Sequence, residues 1–111
     1  MNITKTLLAK DRKEWRRWLE ENHDKENEIW LVSYKKSLGK TGVSYNDAVE
    51  EALCFGWIDS IEKRFNDESS VQRYSPRKPK SPWSQTNLER ARRLIKEGKM
   101  MPSGLAKLGN R

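Results

Sequence analysis

WIDSIEKRFNDESSVQRYS, residues 57 to 75, is the stretch on which the fold turns. From Trp57 the pattern has a period of two, with Trp57, Ile61 and Phe65 on one face and Ile58, Ser60, Glu62 and Arg64 on the other, the alternation of a half-buried strand. Asn66, Asp67, Glu68 and Ser69 form a polar turn, and Ser70 to Ser75 return as a second strand. Pairing Phe65 with Ser70 would put Ile61 opposite Tyr74 in the core and Glu62 opposite Arg73 as an exposed ion pair. A hairpin here commits the chain to an antiparallel sheet.

Toward the N-terminus, Ser44 is placed to cap a helix whose buried stripe is Tyr45, Ala48, Val49, Ala52 and Leu53, and Gly56 is placed to end it. Ser37 to Val43, with Gly39 and Gly42, reads as a mobile loop, and its glycine spacing does not match a phosphate-binding loop. Glu28 to Lys35 (EIWLVSYK) reads as a strand, apolar on both faces in its middle and therefore central. Asp11 to His23 reads as a helix that buries Trp15, Trp18 and Leu19, with Asp11 and Glu14 in a capping-box arrangement. Toward the C-terminus, Pro76, Pro79 and Pro82 interrupt a basic connector that can hold neither helix nor central strand. Ser84 to Glu97 is a helix with Leu88, Ala91, Leu94 and Ile95 on one stripe, and a short helix follows Pro102. The fold class is α+β: one domain over residues 1–111, an antiparallel sheet of about three strands packed with three to four helices.

The 111 residues suffice for one modest core. With 34% hydrophobic and 35% charged residues, that core leans on five Trp, three Tyr and two Phe. A single cysteine, Cys54, rules out an internal disulfide and suits a reducing compartment, and Cys54 with His23 is too few ligands for a structural zinc. No apolar run near Met1 resembles a signal peptide or a membrane span, so a cytoplasmic location, no metal and no cofactor are expected. The net charge of +7 is unevenly placed. Residues 1 to 72 carry twelve basic and fourteen acidic side chains, whereas residues 73 to 111 carry eleven and two. Such asymmetry points to an anionic partner, a nucleic acid or an acidic protein surface, or to an acidic surface of the same protein or its oligomer.

No nucleophile with a base in reach is visible, so no catalytic residue is assigned. Cys54, beside Leu53 and Phe55, reads as a buried structural cysteine, and His23 as a solvated helix-end residue. Asp59 falls on the face of Trp57 and Ile61, where a carboxylate needs a partner. It either pairs with an Arg or caps backbone N–H groups, or it orients a ligand at a pocket rim. The densest cluster is Arg73, Tyr74, Arg77, Lys78, Lys80 and Trp83, followed by Arg90, Arg92, Arg93 and Lys96. It is either a solvated basic face or a surface for phosphates, in which Arg77, Lys78, Lys80, Arg90 and Arg93 would contact nucleic acid.

Three blocks carry a family resemblance: Ala52 to Asp59 (ALCFGWID), Arg73 to Arg77 (RYSPR), and Trp83-Ser84 with Asn87 and the arginine-rich helix after it. Their order, from about Trp15 to Leu108, resembles the YdeI/OmpD-associated family, also labelled bacteriocin-protection proteins. The resemblance implies a small bacterial protein of stress tolerance with no established enzymatic mechanism. It implies Cys54, Gly56, Trp57, Asp59, Arg73, Pro76, Arg77, Trp83 and Asn87 as motif positions. Members continue with a helical segment beyond the position of Leu108, so the chain reads as a short or truncated member whose third long helix has an open stripe for self-association. Two functions follow. The first is a non-enzymatic binding module with a basic Arg73 to Lys99 surface. The second is a small-ligand receptor or enzyme, with Trp57, Asp59, Arg73, Arg77, Lys78, Trp83 and Asn87 as ligand-binding residues.

Overall fold

The computed structural model describes residues 2–35, 39 and 42–109. The elements run β1 (Thr6–Leu7), α1 (Arg12–Asn22), β2 (Ile29–Tyr34), α2 (Tyr45–Cys54), β3 (Trp57–Arg64), β4 (Ser69–Pro76), α3 (Gln85–Lys96) and α4 (Pro102–Leu108). Side chains start three of the helices where the sequence places them. The Asp11 carboxylate accepts the Glu14 N–H, Ser44 Oγ accepts the Asp47 N–H and Ser84 Oγ accepts the Asn87 N–H. Glu14 reaches back to the N–H of Lys10, one residue before the cap, at 2.8 Å. Most of the loop expected from Ser37 to Val43 lies outside the described residues.

The sheet has four strands in the order β1-β2-β4-β3, so β2 is interior as its two apolar faces require. One strand more than expected is present because β1, only two residues long, is too short to carry a period. It pairs parallel to β2, with Thr6 opposite Trp30. The β3–β4 hairpin forms, but in another register. Arg64 pairs with Ser70 and Glu62 with Gln72, and an irregularity between Asp59 and Glu62 brings Asp59, not Ile61, opposite Tyr74. Two residues of β3, Ser60 and Ile61, therefore stand against Arg73 alone, the signature of a β-bulge. The bulge leaves Ile61 41% exposed, and Phe65, at the turn, is 45% exposed. Neither belongs to the core expected of them, and Glu62 does not face Arg73.

The helices cover one face of the sheet. Trp15 and Leu19 from α1, Ala48, Val49 and Leu53 from α2, and Leu94 from α3 pack against Ile29, Leu31, Trp57 and Tyr74. Trp15 meets Tyr74 at 5.1 Å between ring centres, and Trp18 meets Trp57 edge-on at 5.6 Å. Two indole N–H groups inside this layer have acceptors, Ala48 O for Trp15 and His23 O for Trp57. His23 is accordingly half-buried at the end of α1, with its ring against Phe55, rather than simply solvated. On the opposite face a smaller cluster joins Trp30, Val32 and Val71 to Ile3. Two stripe residues are exposed, Tyr45 at 56% and Ile95 at 43%, and Leu88 is half-buried.

Cys54 is buried, and burial pushes its thiol pKa up. The end of α2 is sealed by α4. Met101 N–H donates to Cys54 O at 2.9 Å, and Gly104 lies against the Leu53 and Cys54 carbonyls. A Cβ at Gly104 would sit 2.6 Å from Leu53 O and closer still to Cys54 O, so only Gly permits this approach. Gly56, at φ 77°, turns the chain from α2 into β3. No helix among the described residues is long and apolar enough to cross a membrane. Gly104→Ala is expected to push α4 off α2 and lower stability by about 1–3 kcal/mol, the range of overpacked cores, measured as a shift in the urea unfolding midpoint.

Candidate functional site

Asp59 sits on the helix-covered face of the sheet, beside Trp57 and opposite Tyr74. Its partner is not an arginine but the hydroxyl of Tyr45, in the first turn of α2, which donates to Oδ2 at 2.6 Å. That hydrogen bond, with burial and the charge of Asp59, raises the Tyr45 phenol to about 12. Tyr74 is raised too, by burial first and by Asp59 second. The expected stripe of α2 thus fails at Tyr45 for a reason that sequence periodicity does not carry: the ring reaches sideways to the edge strand.

Arg73 is on the other face, because successive residues of a strand point to opposite sides. It donates through Nε to Glu28 at 2.5 Å and through one Nη to Ser75. Hydrogen bonds from Thr4 and Arg73 hold the Glu28 carboxyl below its usual pKa. Arg77 follows Pro76 and is only 4% exposed. Its guanidinium lies 4.0 Å from the centre of the Trp83 ring and donates to Pro82 O. Trp83 is half-buried, its indole N–H is buried without an acceptor, and one ring face is occupied by Arg77. Trp57, Asp59, Arg73 and Arg77 therefore do not meet in one pocket. The sheet stands between Asp59 and Arg73, and Arg77 is directed into its own connector. Lys78 and Lys80 are exposed on that connector.

The largest concentration of ionic contacts was not foreseen. Glu50 and Glu51 are 4% and 2% exposed, in the middle of α2, and are held by arginines from both neighbouring helices. Arg12 donates through Nε and Nη2 to Glu51 Oε2, at 2.8 and 2.5 Å, and through Nη1 to Asp47. Arg16 takes the other oxygen of Glu51 at 2.8 Å. Glu50 is paired with Arg93 of α3, with Arg12 and with the Asn46 amide. For Arg12 and Arg16 burial works against the charged form, but the hydrogen bonds and charge of Glu51 outweigh it and both pKa values are raised.

This network sorts the basic residues of α3 into two sets. Arg93 pairs with Glu50 and Glu97, and Arg90 is held by the amide oxygens of Asn87 and Asn46 at 3.0 and 2.8 Å. Both face α2, where they line a 500 Å³ cleft with Glu50, Glu89, Thr86 and Asn46. They are not the open phosphate contacts expected of them. Asn87 serves as the acceptor for Arg90 and, through its N–H, as the residue capped by Ser84. Arg92 and Lys96, on the outward stripe, make no hydrogen bond or ion pair with any described residue. Among the described residues no group of three or more His, Cys, Asp or Glu is placed to hold a metal ion.

The Tyr45–Asp59 hydrogen bond has a direct optical readout. A phenol whose folded pKa is raised contributes stability below its unfolded pKa and loses it as pH rises through the folded value. The ultraviolet titration of Tyr45 is expected near 12, and Asp59→Asn should return it toward the ordinary value of 10. A Tyr45→Phe background identifies the step.

No curated protein and no solved structure matches the chain. A family model described as a domain of unknown function, DUF8412, matches residues 7–107, from β1 into α4. With nearly the whole fold inside that match, the chain belongs to the DUF8412 family.

Proposed function

We propose that the chain is a non-enzymatic binding module of the cytoplasm that holds an anionic polymer, a single-stranded nucleic acid above all, against the connector from Pro76 to Pro82 and the outward stripe of α3. The observation that carries this reading is the sorting of charge. Arg73, Arg93 and Lys99 are matched to acidic side chains. Lys78, Lys80, Arg92 and Lys96 are exposed and have no partner among the described residues. Cations that the fold does not neutralise are free to pair with phosphates, and each such contact releases counterions condensed on the polyanion.

Two features suit an extended strand. Arg77 packed on Trp83 and three prolines stiffen the connector, so Lys78 and Lys80 are presented with little ordering cost. The twelve residues of α3 span about 18 Å at 1.5 Å each, close to five nucleotides at 3.4 Å per strand step. With Trp83 half-buried under Arg77, base stacking contributes less than charge, and binding is expected to be indifferent to sequence. The resemblance to YdeI/OmpD-associated proteins, with their link to stress and bacteriocin tolerance, supports a protective binding role over a catalytic one.

Four phosphate contacts give a slope of log K against log salt of about −3 on single-stranded DNA. Replacing Lys78, Lys80, Arg92 and Lys96 by Gln should flatten it by about 0.7 each, whereas Arg90→Gln should leave it unchanged. Fluorescence anisotropy across a salt series measures both. Affinity that ignores salt, or survives the fourfold replacement, would refute the proposal.

A further inference from the structure

β3 is the last strand in the order β1-β2-β4-β3, so one of its sides is paired with β4 and the other is an edge of the sheet. The Phe65 N–H donates to Ser69 O at 3.0 Å, which makes Phe65 and Ser69 a hydrogen-bonded pair and, two residues further along the hairpin, Lys63 and Val71 another. Glu62, opposite Gln72, and Arg64, opposite Ser70, are then the non-hydrogen-bonded positions, and their backbone N–H and C=O groups are directed away from β4. Among the described residues none takes up these groups. An edge of this kind is a template for another strand.

The bulge at Ser60 and Ile61 bends the strand and breaks its ladder, so the usable edge runs only from Ile61 to Phe65. Both end residues are large, apolar and exposed. A partner strand must bring its own outward groups to those of Glu62 and Arg64. When the partner is a second copy of β3 running antiparallel, three registers do this. One sets Glu62 against Glu62 and one sets Arg64 against Arg64, and like charges directly opposite each other repel. The third sets Glu62 against Arg64 twice, about a two-fold axis at Lys63. It also sets Ile61 against Phe65 in non-hydrogen-bonded pairs, where side chains approach most closely.

We propose that the edge of β3 from Ile61 to Phe65 is a self-association surface whose partner is a second copy of this chain, paired antiparallel with Glu62 opposite Arg64 and Ile61 opposite Phe65. The contacts these charges already make do not stand in the way. Arg64 meets Asp67 and, loosely, Asn66 O at 3.5 Å, and Glu62 accepts the Ser70 hydroxyl at 3.1 Å, all at the exposed surface. Exposed ion pairs are worth little and are readily shared. Affinity comes from the backbone ladder and the apolar pairs, while the charges select the register. One contact is adverse, since Lys63 faces its own copy at the axis. The edge is also far smaller than a standard interface of about 20–30 residues a side, so the dimer is weak, with a dissociation constant on the order of 0.1 to 1 mM. Assembly stops at two copies, because the other edge of the sheet is β1, which is only two residues long. The surface does not rest on the polymer-binding reading, because none of its residues belongs to that one.

Sedimentation equilibrium at constant ionic strength, from about 10 μM to about 2 mM, brackets that constant. The expected result is a reversible monomer–dimer equilibrium. Glu62→Arg and Arg64→Glu, each at an exposed position, put like charges opposite each other and should weaken the dimer at least about tenfold. The two substitutions together exchange the partners and should restore association to within about threefold of the original chain. Lys63→Gln removes the repulsion at the axis and should tighten the dimer about threefold. A chain that stays monomeric throughout, single variants that associate as the original does, or a double variant that fails to recover would overturn the proposal. A Lys63→Gln variant that associates no more tightly would overturn the register. Dissociation by Lys96→Glu, on the outward stripe of α3, in place of Glu62→Arg would put the contact elsewhere and overturn the edge as its site.

Discussion

Two adjacent glutamates in the middle of α2 are the constraint around which the helical layer is arranged. A carboxylate taken out of water must be paired and hydrogen-bonded, because the desolvation of an isolated charge exceeds anything packing returns. Glu51 obtains its partners from α1, through Arg12 and Arg16, and Glu50 obtains one from α3, through Arg93. The apolar stripe of α2 faces the sheet at the same time. The helix is therefore oriented by two demands at once: apolar residues on Trp57, Tyr74 and Leu31, and acids toward its neighbours. Hydrophobic contact alone would leave the rotation of α1 and α3 about α2 less defined.

The same pairing explains how a chain with a strongly basic C-terminal third folds without self-repulsion, and which of its charges remain for other molecules. Arginines on the α2 side of α3 belong to the fold, as does Arg77 under the connector, whereas Lys78, Lys80 and the cations of the outer stripe do not. The sheet makes an analogous separation. Arg73 is bound to Glu28 on one face, while Asp59 is bound to Tyr45 on the other. Residues close in sequence are kept apart in chemistry by the alternation of the strand.

Much of the fold was legible because its signals are local. Ser44 and Asp11 cap where a cap was expected, the helix expected from Ser84 starts there, Gly56 ends α2, and the double-sided EIWLVSYK is an interior strand. What was not legible is non-local. The two residues of β1 have no period to read. The bulge at Ser60 and Ile61 shifts the register by an amount that no turn residue announces, and with it moves Ile61 and Phe65 out of the core. Glu50 and Glu51 lie outside the apolar stripe of α2, and sequence spacing shows which residues share a face but not what stands opposite. The one available signal is the excess of arginine on α1 and α3, which flank an acidic helix. For the same reason the basic segment can be delimited in the sequence but its residues cannot be sorted into paired and unpaired.

The claim that a buried acid–arginine network sets the helical layer is tested most directly by the unfolding free energy of Glu51→Gln, set against the exposed Glu62→Gln. Neutralising Glu51 removes the buried charge that Arg12 and Arg16 share, and the expected loss is about 3 kcal/mol, against less than about 0.5 kcal/mol at Glu62. Equal and small losses at the two positions would contradict the account, since Glu51 would then be no more than another surface acid.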